Sequence, residues 1–243
     1  MIVRAIKGMH AIVRQPEHAR QSAVIAAHLD PAFLPPPREQ REFLLAVRDH
    51  DDGWAEWETN PHTAPSGLPL DFPDIDKRDH AENWRRTIYG ALFRHGPAAA
   101  AWIARHADEL MESDNRDTVD ALAARAWPGL NAADRAARVS RGFRALRFAD
   151  ALSLMALDGW SKRLAFDLDD AGGNAVPHEA WRDGPWSIRV WPWPFVLPRL
   201  TRIHADGVCV SSGSEGYALA LLKTPREAAM RIQVEILPGG PSA

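Results

Sequence analysis

About six stretches between residues 15 and 157 repeat apolar residues at the three- and four-residue spacing of a helix face, and proline or glycine punctuates them. "PEHARQSAVIAAHLD" opens on Pro16, which suits a first helical turn, and ends before Pro31. "EQREFLLAVRDHDD" stops at Gly53. "HAENWRRTIYGALFR" follows Asp79 as a cap and ends at Gly96-Pro97. "AAAAWIARHADELM" and "RDTVDALAARAW" come next, and the longest pattern occupies residues 133–157. Residues 58–78, rich in Pro, Gly, Asp and Thr, read as a long ordered loop of the kind that often carries function.

After about residue 170 the period changes to the alternation of strands. "DAGGNAVP" breaks the helical pattern, and "WSIRVWPWPF", "RLTRIH", "GVCVSS" and "AAMRIQVEIL" follow, with "HADG" as a hairpin turn. Residues 1–14 alternate in the same way around "KG". The pattern predicts a mainly α fold, a helical bundle with a small antiparallel β extension. That extension is built from the C-terminal segment, with the N-terminal strands as candidate partners. Residues 1–170 form the helical domain in this reading, and residues 171–243 the β-rich extension packed on it.

Composition narrows the function. At 243 residues and 46% hydrophobic, the chain can bury a sizeable core. A net charge of −3 supplies no basic field, so no nucleic-acid partner is expected. Cys209 is the only cysteine, which excludes an intramolecular disulfide and a cysteine-rich zinc site. No run of about 18 apolar residues occurs, so the expectation is a cytoplasmic protein without a membrane span. No nucleotide-binding glycine loop or nucleophile elbow is present.

The informative residues are polar ones on apolar faces. Phe43, Val47 and His50 share a face, as do Leu44, Val47 and Asp51, so His50 and Asp51 extend a buried stripe while Asp49 and Asp52 point elsewhere. Asp150 interrupts the stripe of Val139, Phe143, Leu146, Leu154 and Leu157. His106 lies with Trp102, Ile103 and Leu110, His80 with Trp84 and Ile88, and His18 with Val24 and Ile25. A single inward histidine is ordinarily a hydrogen-bonded core residue. An ionised aspartate in a core needs a cation or hydrogen bonds. Four histidines and two aspartates on inner faces of five helices together suit a divalent transition metal, with iron, manganese, zinc and nickel all compatible, as one ion or two.

His18, then the His50-Asp51 pair, then the distant Asp150 in "FADALSL" resemble the signature of the HD-domain superfamily of metal-dependent phosphohydrolases. More narrowly, "QPEHAR", "HDDGW", "SGLPLDF", "ARHADEL" and "WPWPF" are similar to a family of uncharacterised bacterial proteins. The superfamily resemblance implies a helical bundle in which His18, His50, Asp51 and Asp150 hold a first metal ion. It further implies that Asp51 bridges to a second ion held by His80 and His106.

The chemistry implied is hydrolysis of a small, anionic phosphoester-type substrate. Asp52 is the candidate catalytic residue, orienting a water. Arg14, Arg20, Lys77, Arg78, Arg85, Arg86 and Arg105 lie near the ligands in sequence, although a solvated helix face explains such residues equally well. Two other readings remain open: a mixed-valent diiron oxygenase acting on a small molecule, and a non-enzymatic binding protein with a structural metal or none. The Trp-rich "WRDGPWSIRVWPWPF" suits a homo-oligomer interface as readily as a core.

Overall fold

A computed structural model describes residues 1–111, 116–223 and 229–240. Two strands, β1 (Ile2–Ile6) and β2 (Met9–Val13), precede a run of helices. These are α1 (Gln15–Ala27), α2 (Gln40–Asp49), α3 (Trp54–Trp57), α4 (Lys77–His95), α5 (Pro97–Met111), α6 (Arg116–Ala126) and α7 (Ala132–Leu157). Strands β3 (Leu164–Asp169), β4 (Ala175–Arg182), β5 (Ser187–Trp191) and β6 (Leu200–Ser211) follow, then α8 (Ala218–Lys223) and β7 (Ala229–Pro238).

The mainly α reading is overturned. The chain is 50% helical and 24% strand, and its sheet curls into a half-barrel, so the fold is α/β rather than a helical bundle with a small appendage. Among the described residues the sheet has seven strands in the order β1-β2-β6-β7-β5-β4-β3. It is not purely antiparallel, because β5 runs parallel to β7. The N-terminal hairpin does join the later strands, with Met9 opposite Ser211 and Val13 opposite Gly207.

"HADG" is not a turn. His204, Ala205, Asp206 and Gly207 pair with Gln233, Ile232, Arg231 and Met230 in the middle of β6. Gly207 serves close approach instead of chain reversal: a Cβ there would sit 2.6 Å from the Ile12 carbonyl oxygen of β2. One residue type answers to both causes, and the local sequence does not distinguish them.

Local chemistry accounts for the helix ends. Asp76, not Asp79, caps α4, and its carboxylate accepts from the Arg78 and Asp79 amides. Asn131 caps α7 through the Asp134 amide. The second half of α7 is buried on all sides, with Leu146, Phe148, Ala149, Leu152 and Met155 at 0% exposure. Such a helix must lie between two layers. It packs against α1 and α5 on one side and β3 on the other. Phe148 touches the rings of Phe166 and Phe195 at centroid distances of 5.3 and 6.0 Å, so helices and sheet share one core.

The loop between α3 and α4 is tied down. The Phe72 amide donates to the Met1 carbonyl at 2.9 Å, and the Val3 amide donates to Asp71 Oδ1 at 3.2 Å. These bonds hold the loop to the first strand beside the end of α2, where the polar residues converge.

Candidate metal centre

α1 presents His18 to α7, and Asp150 on α7 lies directly opposite. His18 Nε2 is 2.7 Å from Asp150 Oδ1. α2 ends at Asp49, and His50 follows as its C-cap, with Nε2 3.2 Å from the same oxygen. Asp51 follows in a tight turn, with Oδ2 3.5 Å from His50 Nε2 and 3.8 Å from His18 Nε2. His106 comes from α5, with Nε2 3.7 Å from Asp150 Oδ2. The rings of His18 and His50, and of His50 and His106, meet edge to face at 5.5 and 5.4 Å. Ligand-type atoms of His18, His50 and Asp51 lie within 4.8 Å of one another, as do those of His50, His106 and Asp150. All five residues are buried, with Asp51 and Asp150 retaining 5% and 6% exposure.

A glycine permits this arrangement. Gly53 packs against α4 so closely that a Cβ would sit 2.1 Å from the Asn83 carbonyl oxygen and 2.5 Å from Thr87 Oγ1. The turn that carries His50 and Asp51 is thereby pressed onto the bundle, and the Gly53 amide donates to Thr87 Oγ1 at 3.0 Å. Gly53 does not terminate α2, which ends at Asp49; it precedes α3.

The electrostatics couple two buried carboxylates to three buried imidazoles. Burial opposes charge on His50, but the negative charge of Asp51 and the hydrogen bond to Asp150 outweigh it and raise its pKa to about 9. For His106 burial wins, lowering the pKa to about 3 and keeping the imidazole neutral. Burial pushes Asp51 up. Burial pushes Asp150 in the same sense, yet hydrogen bonds from His18 and His50 hold it well below the ordinary carboxylate range. His50 Nδ1 donates to the Val47 carbonyl at 2.7 Å, which fixes a proton there and turns Nε2 toward the carboxylates. Two buried carboxylates facing three imidazole nitrogens form a donor set that could hold a metal.

Two of the residues singled out from sequence are elsewhere. His80 shares the inward stripe of α4 but sits in its first turn, against the loop. Its Nε2 donates to the Phe72 carbonyl at 2.9 Å, and its ring stacks edge-on against Trp54 at 4.9 Å. Trp84, one turn on, is the α4 residue that meets His106, at 5.5 Å. His80 therefore does not join His106 in a second ligand set. Asp52 faces a surface groove of about 600 Å³ with Arg20, Arg86 and Arg94, and its carboxylate accepts from Arg94 at 2.7 Å. Arg20, Arg85, Arg86 and Arg105 all pair with acidic residues on their own helices, as a solvated helix face does.

Asp49 was expected to point outward and is buried, at 4% exposure. Its carboxylate takes the Arg48 guanidinium at 2.5 and 2.8 Å and His95 Nε2 at 2.6 Å. Phe43, Ala46 and Asp49 share a second buried face of α2, a signal that the small Ala46 obscured. Ser153 and Gln21, both at 0% exposure, were also missed. Each lies three residues beyond a residue of the cluster, after Asp150 and His18 respectively, and that spacing was the available clue.

An α/β fold with a buried His/Asp cluster able to hold a metal is thus the class of protein to which this chain belongs. It is a member of the family described as Protein of unknown function (DUF3891), whose sequence model matches residues 1–208, a span that contains all five clustered residues. No curated protein and no solved structure matches the chain. Among the described residues, no helix is long and apolar enough to cross a membrane.

Proposed function

We propose that the protein is a metal-dependent hydrolase of small, anionic phosphoester-type substrates, with His18, His50, Asp51, His106 and Asp150 holding one divalent transition metal ion. The observation that carries the reading is a pair of buried triads, His18/His50/Asp51 and His50/His106/Asp150, which share His50 and come from four segments of the chain. The choice of phosphoester chemistry rests on the resemblance to the HD-domain superfamily, whose order of histidine, His-Asp pair and late aspartate these residues follow. A bound metal supplies Lewis acidity, bringing the pKa of water toward neutrality and polarising phosphoryl oxygens.

The chain's own residues do the rest. Asp51 and Asp150 supply two negative charges against a divalent cation. Val47 holds His50 in its ligand tautomer. Five side-chain donors exceed the four of a tetrahedral zinc site and suit six-coordinate iron, manganese or nickel, leaving a position for substrate. A diiron oxygenase needs a second ligand set, and His80 is committed to the Phe72 carbonyl.

The test is elemental analysis of the purified protein, followed by phosphatase and phosphodiesterase assays after reconstitution with each metal in turn. The expected result is about one equivalent of metal per chain, lost in Asp51→Asn and His50→Ala with helical content retained. Wild-type protein that takes up no transition metal after reconstitution would overturn the metal site. Metal-loaded protein inert toward every phosphoester tried would overturn the activity.

A further inference from the structure

We propose that Ser153 and Gln21 are positioning residues that lock the tautomer of His18 and so set the affinity of the metal centre. The inference rests on the metal reading above and extends it to residues that touch no metal. His18 Nδ1, on the side of the ring away from the carboxylates, lies 2.8 Å from Ser153 Oγ. Ser153 Oγ in turn lies 2.6 Å from Gln21 Oε1 and 3.3 Å from the His18 carbonyl oxygen. Both of those oxygens only accept, and the hydroxyl has one proton to donate. That proton goes to Gln21 or to the His18 carbonyl. The serine oxygen is then an acceptor toward the imidazole, and the proton on His18 resides on Nδ1. With Nδ1 carrying a proton toward Ser153, Nε2, which faces Asp150 and Asp51, is the nitrogen that gives up its own proton when a metal binds.

The burial of these two side chains supports the assignment. Ser153 and Gln21 are at 0% exposure, and among the described residues Gln21 Nε2 has no hydrogen-bond partner. A buried amide with an unmet donor destabilises the fold, and an apolar side chain at either position would avoid that cost. The polar pair is explained by what it does for His18. Histidine ligands commonly donate their second nitrogen to a carbonyl or carboxylate. His50 follows that pattern through Val47, whereas His18 reaches its carbonyl-type acceptor through an intervening hydroxyl.

The experiment measures zinc affinity, with zinc as a diamagnetic probe, by chelator competition on the full chain. The variants are Ser153→Ala, Ser153→Thr and Gln21→Met. Apo-protein melting confirms that each is folded, and ¹⁵N-histidine NMR reads the Nδ1 proton of His18 in the zinc-loaded state. Ser153→Ala is expected to bind zinc about 10–100-fold more weakly, with faster exchange of the His18 Nδ1 proton. Ser153→Thr, which keeps the hydroxyl, restores affinity. Gln21→Met, a change of similar volume, weakens binding in the same direction and stands in if Ser153→Ala does not fold. Wild-type affinity in Ser153→Ala or Gln21→Met, with an undisturbed Nδ1 resonance, overturns the relay while leaving the metal site intact. Wild-type protein that binds no zinc and no other transition metal overturns both together.

Discussion

His18 and Asp150 meet at 2.7 Å across the seam between α1 and α7, 132 residues apart in sequence. The contact joins the first helix to the helix that separates the bundle from the sheet. The polar centre therefore lies inside the packing that holds the molecule together. Its residues are buried by the fold itself, and no separate lobe shields them.

His80→Ala and His106→Ala separate one-ion from two-ion occupancy. His106 faces Asp150 at 3.7 Å, while His80 is bonded to the Phe72 carbonyl. The expected outcome is unchanged metal stoichiometry in His80→Ala and a clear fall in metal affinity in His106→Ala, read by elemental analysis after dialysis. Loss of one of two ions in the His80 variant would restore the paired arrangement.

Gly53→Ala tests the close approach beneath the His50-Asp51 turn. A methyl group 2.1 Å from a helix carbonyl forces α4 or the turn to move, because backbone cannot rotate aside. Overpacking of this kind costs about 1–3 kcal/mol. A lower urea midpoint, together with weaker metal binding, is expected. Gly129→Ala, where a Cβ meets nothing within 4 Å, is the control. Equal midpoints for the two variants would show that the turn is not held as described.

Asp71→Asn gives a pH signature. Burial, reinforced by the nearby negative charge of Asp158, raises the Asp71 pKa from 3.8 to about 6. As pH rises through this window the unfolded chain releases its proton first, so the folded state binds more protons and stability falls. Asparagine keeps an oxygen for the Val3 and Phe72 amides and removes the charge. The variant should melt higher than wild type above about pH 6, with the difference vanishing below about pH 4. A difference independent of pH would rule out the buried charge as its cause.

Much of the candidate metal centre was legible in the sequence because its residues break apolar stripes. Asp150 among Phe143, Leu146 and Leu154 is costly in a core without a partner, and the structure supplies that partner in His18. His80 obeyed the same periodicity and went elsewhere. Periodicity reports which face of a helix is inward, not how far along its neighbour that face makes contact. Asp49 and His95 escaped because their pairing joins the ends of two helices, a relation that no single helix displays. The sheet was underestimated for a similar reason. β6 reads as two short strands around a glycine until β2 is placed beside it, and only the pairing shows why Gly207 is there. Strand content depends on partners distant in sequence, whereas helix content is largely local.

The pairing of β2 with β6 also dictates an order of events. Met9 and Cys209 touch across 200 residues of chain, so the β2 edge of the N-terminal hairpin has no strand partner until β6 has been made. Its exposed edge must wait through the synthesis of seven helices. Such long-range closure slows folding and leaves strand edges open to stray association. A newly made chain is accordingly most vulnerable just before β6 emerges, and truncation ahead of that strand should yield insoluble material even though every residue of the candidate metal centre is already present.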